Sequence, residues 1–226
     1  VPWLEANVPN YASPLTIARM TGGQSNPTYR LSTPARDYAL RRKPPGALLP
    51  SAHAVDREYR VMAALAGSAV PVPAMHGLCT DESVIGSIFF VMDFVQGRNF
   101  VQPGDPALSP TERRALFRSM NATLAALHAI DPAAIGLADF GRPGNYIARQ
   151  VARWSKQYRA SETQTIAEMD RLIDWLPANL PPEGATSIVH GDYRLDNLIV
   201  DPVAPRIIAM HDRRGAFRWQ VGGQPV

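Results

Sequence analysis

Three residues near one end of the chain have the types and spacing of an oxygen-ligand site. Asp192 and Asn197 stand five positions apart in His190-Gly-Asp-Tyr-Arg-Leu-Asp-Asn197, and Asp212 closes the apolar run Arg206-Ile-Ile-Ala-Met-His-Asp212. The surrounding pattern predicts a short apolar strand, a polar loop, a second strand and a third strand that ends on a carboxylate. Such a layout holds side-chain oxygens at the ends of buried strands, where they can converge. Hard oxygen donors with few carboxylates suit Mg²⁺, which leaves its other positions to water and substrate phosphates. The chemistry expected here is phosphoryl transfer.

Composition narrows the class of protein around that site. The chain has 226 residues, 46% hydrophobic and 19% charged, which suits one large domain or two small lobes and not a disordered chain. A net charge of +3 fits an anionic substrate. No cluster of Arg or Lys interleaves with aromatics, so no nucleic-acid partner is expected. The single cysteine, Cys79, excludes an internal disulfide and a thiolate metal cluster, and reads as a small buried hydrophobe. With no basic–apolar leader and no run approaching ~18 apolar residues, a cytoplasmic enzyme without a membrane partner is expected.

The elements that must position the site begin after a lead-in. Residues 1–14 carry three prolines and little periodicity, and are expected to be loose, with at most one short helix. Residues 15–20 and 28–33 read as strands joined by a turn at Gly22, Gly23, Gln24, Ser25 and Asn26. Backbone N–H groups in such a turn can approach phosphate oxygens because no Cβ intervenes; an ordinary hairpin would look the same. Residues 37–43 read as a third strand, with Ala39, Arg41 and Lys43 on one face and Tyr38, Leu40 and Arg42 on the other. A small residue followed by a cation leaves room for a flat base and then meets its phosphates, while a solvated basic face would show the same pattern. A helix is predicted over 51–65, with Val55, Tyr59, Met62 and Leu65 as its apolar stripe and Gly67 as its stop. Glu58 lies beside that stripe and becomes functional only with a partner cation on the preceding strand.

Residues 75–79 and 87–95 read as two further strands, the second buried on both sides and broken at Gln96 and Gly97. The composition then shifts, which predicts an N-terminal nucleotide-binding lobe over 1–96 and a helical lobe over 97–226 that carries the catalytic loop. Ser109, Pro110 and Glu112 form a capping box that opens a helix to about residue 130, burying Leu116, Met120, Leu124 and Leu127. His128, close to its end, complements the helix dipole and reads as structural. Helices follow over 146–160, with Arg149, Arg153 and Lys156 along one side, and over 165–176.

In order, the glycine turn, strand cation, helix glutamate, buried strand ending at Gly97, His-Gly-Asp with its asparagine, and later aspartate resemble the protein-kinase-like fold. His190-Gly-Asp-x-x-x-x-Asn197 is similar to the signature of the aminoglycoside phosphotransferase and choline kinase superfamily. Four strings look more closely like the phosphotransferase domains associated with acyl-CoA dehydrogenases: Gly23-Gln-Ser-Asn-Pro-Thr-Tyr29, Leu40-Arg-Arg-Lys-Pro-Pro-Gly46, Ser51-Ala-His-Ala-Val-Asp-Arg-Glu-Tyr59 and His190-Gly-Asp-Tyr-Arg-Leu-Asp-Asn-Leu198. The resemblance covers about residues 15–212 and implies an α+β, two-lobed kinase-like fold. Its N-lobe would have an antiparallel sheet of about five strands plus one helix, and its C-lobe would be mainly helical.

The resemblance also implies roles. Asp192 would orient the substrate hydroxyl and accept its proton, and Asn197 and Asp212 would ligate Mg²⁺. Residues Gly22, Gly23, Gln24, Ser25 and Asn26 would cover the phosphates of ATP, and Asp93, Phe94 and Val95 would form the adenine hinge. Arg41 falls where kinases place the phosphate-binding cation, with Glu58 as its helix partner; Lys43, on the same face, competes for that role. His190 would fix the loop through nearby backbone, and Asp196 would be structural.

Aminoglycosides are polycations and call for an acidic pocket, whereas this chain is net basic and offers Arg142, Arg149, Arg153 and Lys156. An anionic hydroxylated acceptor, such as a hydroxyacyl-CoA or hydroxy acid, is therefore expected over an aminoglycoside or choline. After Asp212 the chain departs from the family pattern, and residues 213–226 are expected to be a divergent tail belonging to no packed element. A frameshift is one origin expected for it, since codons for Gly215, Ala216 and Phe217 read one base later can give Glu-Leu-Ser. An incomplete helical lobe would expose apolar faces, favouring a homodimer or a catalytically impaired nucleotide-binding remnant.

Overall fold

Short extended runs build an antiparallel sheet from the first part of the chain. A computed structural model describes residues 1–20, 26–44, 55–102, 108–141, 144–182 and 186–210, and the backbone of 220–223. Strands β1 (Thr16–Arg19), β2 (Thr28–Ser32), β3 (Asp37–Arg42), β4 (Met75–Cys79) and β5 (Phe89–Asp93) form one sheet in the order β1-β2-β3-β5-β4. All neighbours are antiparallel. β5 is interior and its Phe90 and Val91 are fully buried, as its unbroken apolar run requires. Helix α2 (Val55–Ala64) packs beside β4 and β5 and buries Val55, Glu58, Val61 and Met62.

The lead-in is not loose. Helix α1 (Pro2–Asn7) and the residues after it place Leu4 and Val8 in a core with Leu31, Tyr38, Cys79, Phe89 and Val91. Trp3 meets Phe89 edge-on at 4.8 Å between centroids. Gly77 makes room for that ring, since a Cβ there would lie 3.0 Å from it. Two large apolar side chains in six residues outweigh the missing periodicity, because burying each is worth about 1.5–3 kcal/mol.

Helix α3 (Pro110–His128) starts where its capping box places it. The Ser109 N–H donates to Glu112 Oε2 at 2.9 Å, and the Glu112 N–H donates to Ser109 Oγ at 3.3 Å. The Ser109 hydroxyl holds the Glu112 carboxyl below its ordinary pKa. The helix buries Leu116, Met120, Thr123 and Leu127; Leu124 is only half-buried, because the i, i+4, i+7 register that continues from Leu116 runs through Thr123. Burial pushes the His128 pKa down, so the cation that would complement the helix dipole is disfavoured.

By contact density the chain divides into two compact units, residues 1–128 with 190–219 and residues 129–189 with 220–226. This division differs from one by composition at residue 96, because the segment after residue 97 is bonded to the strands that follow the His-Gly-Asp loop. In the first unit, β7 (Leu198–Val200) and β8 (Ile207–Met210) form an antiparallel pair. In the second, α4 (Tyr146–Ser161) and α5 (Ala167–Trp175) contain no fully buried residue. β6 (Thr186–Val189) pairs antiparallel with β9 (Gln220–Gly223). The tail expected over 213–226 thus contributes a strand: backbone groups beside the fully buried Ile188 need partners, and the chain at Val221 lies opposite it. Among the described residues no helix is long and apolar enough to cross a membrane.

Candidate active site

The His-Gly-Asp loop is closed by its own asparagine. Asn197 is fully buried, and its Nδ2 donates to both the backbone O and the carboxylate Oδ2 of Asp192, each at 2.9 Å. The residues between them turn through a short 3-10 segment, Leu195–Asn197. Gly191 sits at φ +78, in the left-handed region that only glycine enters without cost. The Asp192 N–H donates to His190 Nδ1 at 3.2 Å, so His190, 1% exposed, uses its acceptor nitrogen to fix the loop. That leaves the proton of the neutral ring on Nε2.

Tyr193 ties the loop to α3: its hydroxyl donates to the Met120 carbonyl at 2.7 Å, and burial pushes its pKa up to about 12. Asp196 is buried in an ion pair with Arg194, whose pKa that hydrogen bond raises. Asp196 is therefore occupied with the loop's own structure. Among the described residues no group of three or more His, Cys, Asp or Glu is arranged to hold a metal. Of the two expected Mg²⁺ ligands, Asn197 lies among the described residues. Asn197 commits its amide nitrogen to Asp192, which directs its oxygen elsewhere. An amide oxygen so placed is a hard donor suited to Mg²⁺. Asp212, Gly22, Gly23, Gln24, Ser25 and Arg142 lie outside the described residues; Asn26 is buried, 2% exposed.

On the sheet, Arg41 Nε lies 3.0 Å from Glu58 Oε2 with both side chains almost fully buried. Alternation along β3 leaves Arg41 and Lys43 equivalent, and the structure separates them. Arg41 lies within β3 opposite Phe90 of β5, while Lys43 lies past the strand end, half-buried, with its N–H donating to Ile88 O at 2.9 Å.

At the end of β5, Asp93 is held by Arg36 and by His76 Nε2, the latter at 2.7 Å. The Phe94 N–H donates to Asp37 O at 3.4 Å. Past Val95, the chain closes on β7. A Cβ on Gly97 would lie 2.3 Å from Ile199 Cγ2 and 2.4 Å from Val200 O. Arg98 and Val200 exchange backbone hydrogen bonds of 2.7 and 2.8 Å. Arg98 Nε and Nη2 donate to Asp201 O and Ala204 O at 2.9 and 3.1 Å, and Asn99 Nδ2 donates to Asp196 O and Leu198 O at 2.9 and 3.1 Å. Sequence reasoning passes over Arg98, Asn99 and Tyr193, because lone polar residues whose partners lie 73 to 106 positions away leave no spacing signal. The break at Gly97 is the one local cue.

The first unit thus holds both a buried cation on the sheet and an asparagine-braced aspartate in the loop, and comparison with known proteins shows the family of the chain. It belongs to the phosphotransferase enzyme family, whose model matches residues 16–210. Mouse acyl-CoA dehydrogenase family member 10 is 47% identical over 199 residues, covering 88% of this chain and 19% of that protein. A Ralstonia eutropha protein assigned as an aminoglycoside phosphotransferase, solved by crystallography, is similar at a TM-score of 0.84 and 51% identity, over 93% of this chain and 62% of that one. A streptomycin–ATP ternary complex of APH(2″)-IIa shares the fold, at a TM-score of 0.62 and 18% identity over 93% of this chain and 68% of that one. The chain thus spans about a fifth of the mouse relative's length and under two thirds of the Ralstonia protein.

Proposed function

We propose that the chain transfers the γ-phosphate of ATP to a hydroxyl group of an anionic small molecule, a hydroxyacyl-CoA or a hydroxy acid. The observation that carries this reading is the pair of 2.9 Å hydrogen bonds from Asn197 to Asp192. They fix the Asp192 carboxylate in a loop where it can orient an alcohol. Asp192 accepts the hydroxyl proton as the acceptor oxygen bonds to the γ-phosphorus; the bond from that phosphorus to the β–γ bridging oxygen breaks, and ADP leaves. Phosphoryl transfer asks the protein for positioning and charge neutralisation more than for covalent chemistry. Asn197 and Asp212 would hold Mg²⁺, which supplies charge neutralisation on the phosphates when bound.

Arg41, oriented by Glu58, serves as the phosphate-binding cation in preference to Lys43. Gly22, Gly23, Gln24, Ser25 and Asn26 cover the phosphates. The hinge over Asp93, Phe94 and Val95 receives adenine through its backbone, because the Asp93 carboxylate is taken by Arg36 and His76. The anionic acceptor is supported by the net charge of +3 and by relatives named for acyl-CoA dehydrogenases.

The test is a Mg·ATP phosphotransfer screen over hydroxyacyl-CoAs, hydroxy acids, kanamycin and choline, with Asp192→Ala as the blank. Product from a hydroxyacyl-CoA or hydroxy acid, absent in the blank, is expected. Transfer to kanamycin or choline but never to 4-hydroxyacyl-CoA overturns the acceptor. ATP binding without transfer to any hydroxylated acceptor overturns the reaction and leaves a nucleotide-binding remnant.

A further inference from the structure

Asn99 commits its side chain to the segment that carries Asn197. A primary amide has two N–H donors, and those of Asn99 reach Asp196 O at 2.9 Å and Leu198 O at 3.1 Å. The first carbonyl belongs to the peptide unit directly before Asn197 and the second to the unit after Leu198, so the backbone bearing Asn197 is bracketed. Asn197 in turn braces Asp192 through its own amide. A shift at residue 99 therefore passes through Asn197 to Asp192.

Residues 97–99 have little freedom to absorb such a shift. Gly97 lies too close to Ile199 and Val200 to admit a Cβ, and the reciprocal Arg98–Val200 backbone bonds lock the strap along β7. The strap is continuous with the hinge at 93–95, so one short run of chain joins the end of the sheet to the loop. Mg²⁺ tolerates little departure from octahedral geometry, with ligands at about 2.0–2.1 Å, so a residue that fixes the backbone of a ligand matters beyond its contribution to folding. Outer partners of metal ligands commonly change metal affinity by about 10–100-fold when removed.

Resting on the phosphotransfer reading, we propose that Asn99 is a positioning residue for the metal site: it sets the orientation of Asn197 toward Mg²⁺ and, through Asn197, that of Asp192. The test uses the whole chain with Mn²⁺ and AMP-PNP as probes, reading bound Mn²⁺ by electron paramagnetic resonance and, separately, AMP-PNP affinity in EDTA. Asn99→Ala and Asn99→Leu are expected to weaken Mn²⁺ binding in the AMP-PNP complex about tenfold or more, with metal-free AMP-PNP affinity unchanged. Asn99→Gln keeps both donors and is expected to recover most of the loss. Wild-type Mn²⁺ affinity in folded Asn99→Ala, with only a lower thermal midpoint, overturns the proposal by reducing Asn99 to a packing role. Asn197→Ala is the reference. If the wild type binds no Mn²⁺ with AMP-PNP, or Asn197→Ala binds it equally well, the phosphotransfer reading fails and this proposal with it.

Discussion

Arg41 and Glu58 meet at 3.0 Å with their side chains 2% and 5% exposed, an ion pair inside the sheet–helix layer and not on its surface. Charges so placed are held against a large desolvation cost, which makes each partner depend on the other.

Glu58→Ala is expected to lower stability by about 3–5 kcal/mol, because it removes one side of a buried ion pair, as urea denaturation would show. Arg41→Met with Glu58→Leu removes both charges and is expected to regain most of that loss while leaving ATP-dependent turnover abolished. Full activity in the stable double variant would mean that Arg41 has no part in binding phosphates.

Gly97→Ala drives a methyl group against Ile199 Cγ2 and Val200 O. Overpacking of this kind costs about 1–3 kcal/mol, and Ile199→Ala is expected to relieve it only in part, since the carbonyl remains 2.4 Å away. Thermal midpoints of the single and double variants check this; a Gly97→Ala protein as stable as the wild type contradicts the close approach.

Tyr193 adds a dependence on alkaline pH. Burial raises its pKa from 10.0 to about 12, so the folded chain keeps its phenol protonated where the unfolded chain ionises. The contribution is fully present below pH 10 and is lost as pH rises toward 12. Between those values the wild-type thermal midpoint is expected to fall more steeply than that of Tyr193→Phe. At neutral pH the variant is expected to lose about 0.5–1.5 kcal/mol with the bond to Met120 O.

What the sequence conveys about this fold is local. Alternation predicts the faces of β3, an unbroken apolar run predicts β5, and Ser109 with Glu112 marks the start of α3 because a capping box is complete within four residues. The short loop spacing likewise brings Asp192 and Asn197 together. Alternation assigns Arg41 and Lys43 to one face without saying which meets Glu58; the relative placement of β3 and α2 decides that, and it is a tertiary property. The docking of α1 is missed because two anchors, Trp3 and Leu4, make no periodic pattern, and β9 because its pairing uses backbone groups that any sequence supplies. Asn99 is invisible for the same reason: its partners are carbonyls of residues far along the chain.

The central claim is that Asp192 takes the acceptor's proton in transfer from Mg·ATP, and Asp192→Asn tests it most directly, because the amide keeps an oxygen to accept from Asn197 while losing the base. The measurement is transfer of γ-phosphate label from ATP to a hydroxyacyl-CoA, run beside ATP affinity and thermal unfolding. The variant is expected to transfer about 10²–10⁴ times more slowly than the wild type, as loss of a positioned base does, with ATP affinity and midpoint unchanged. Transfer at the wild-type rate by Asp192→Asn would contradict the account.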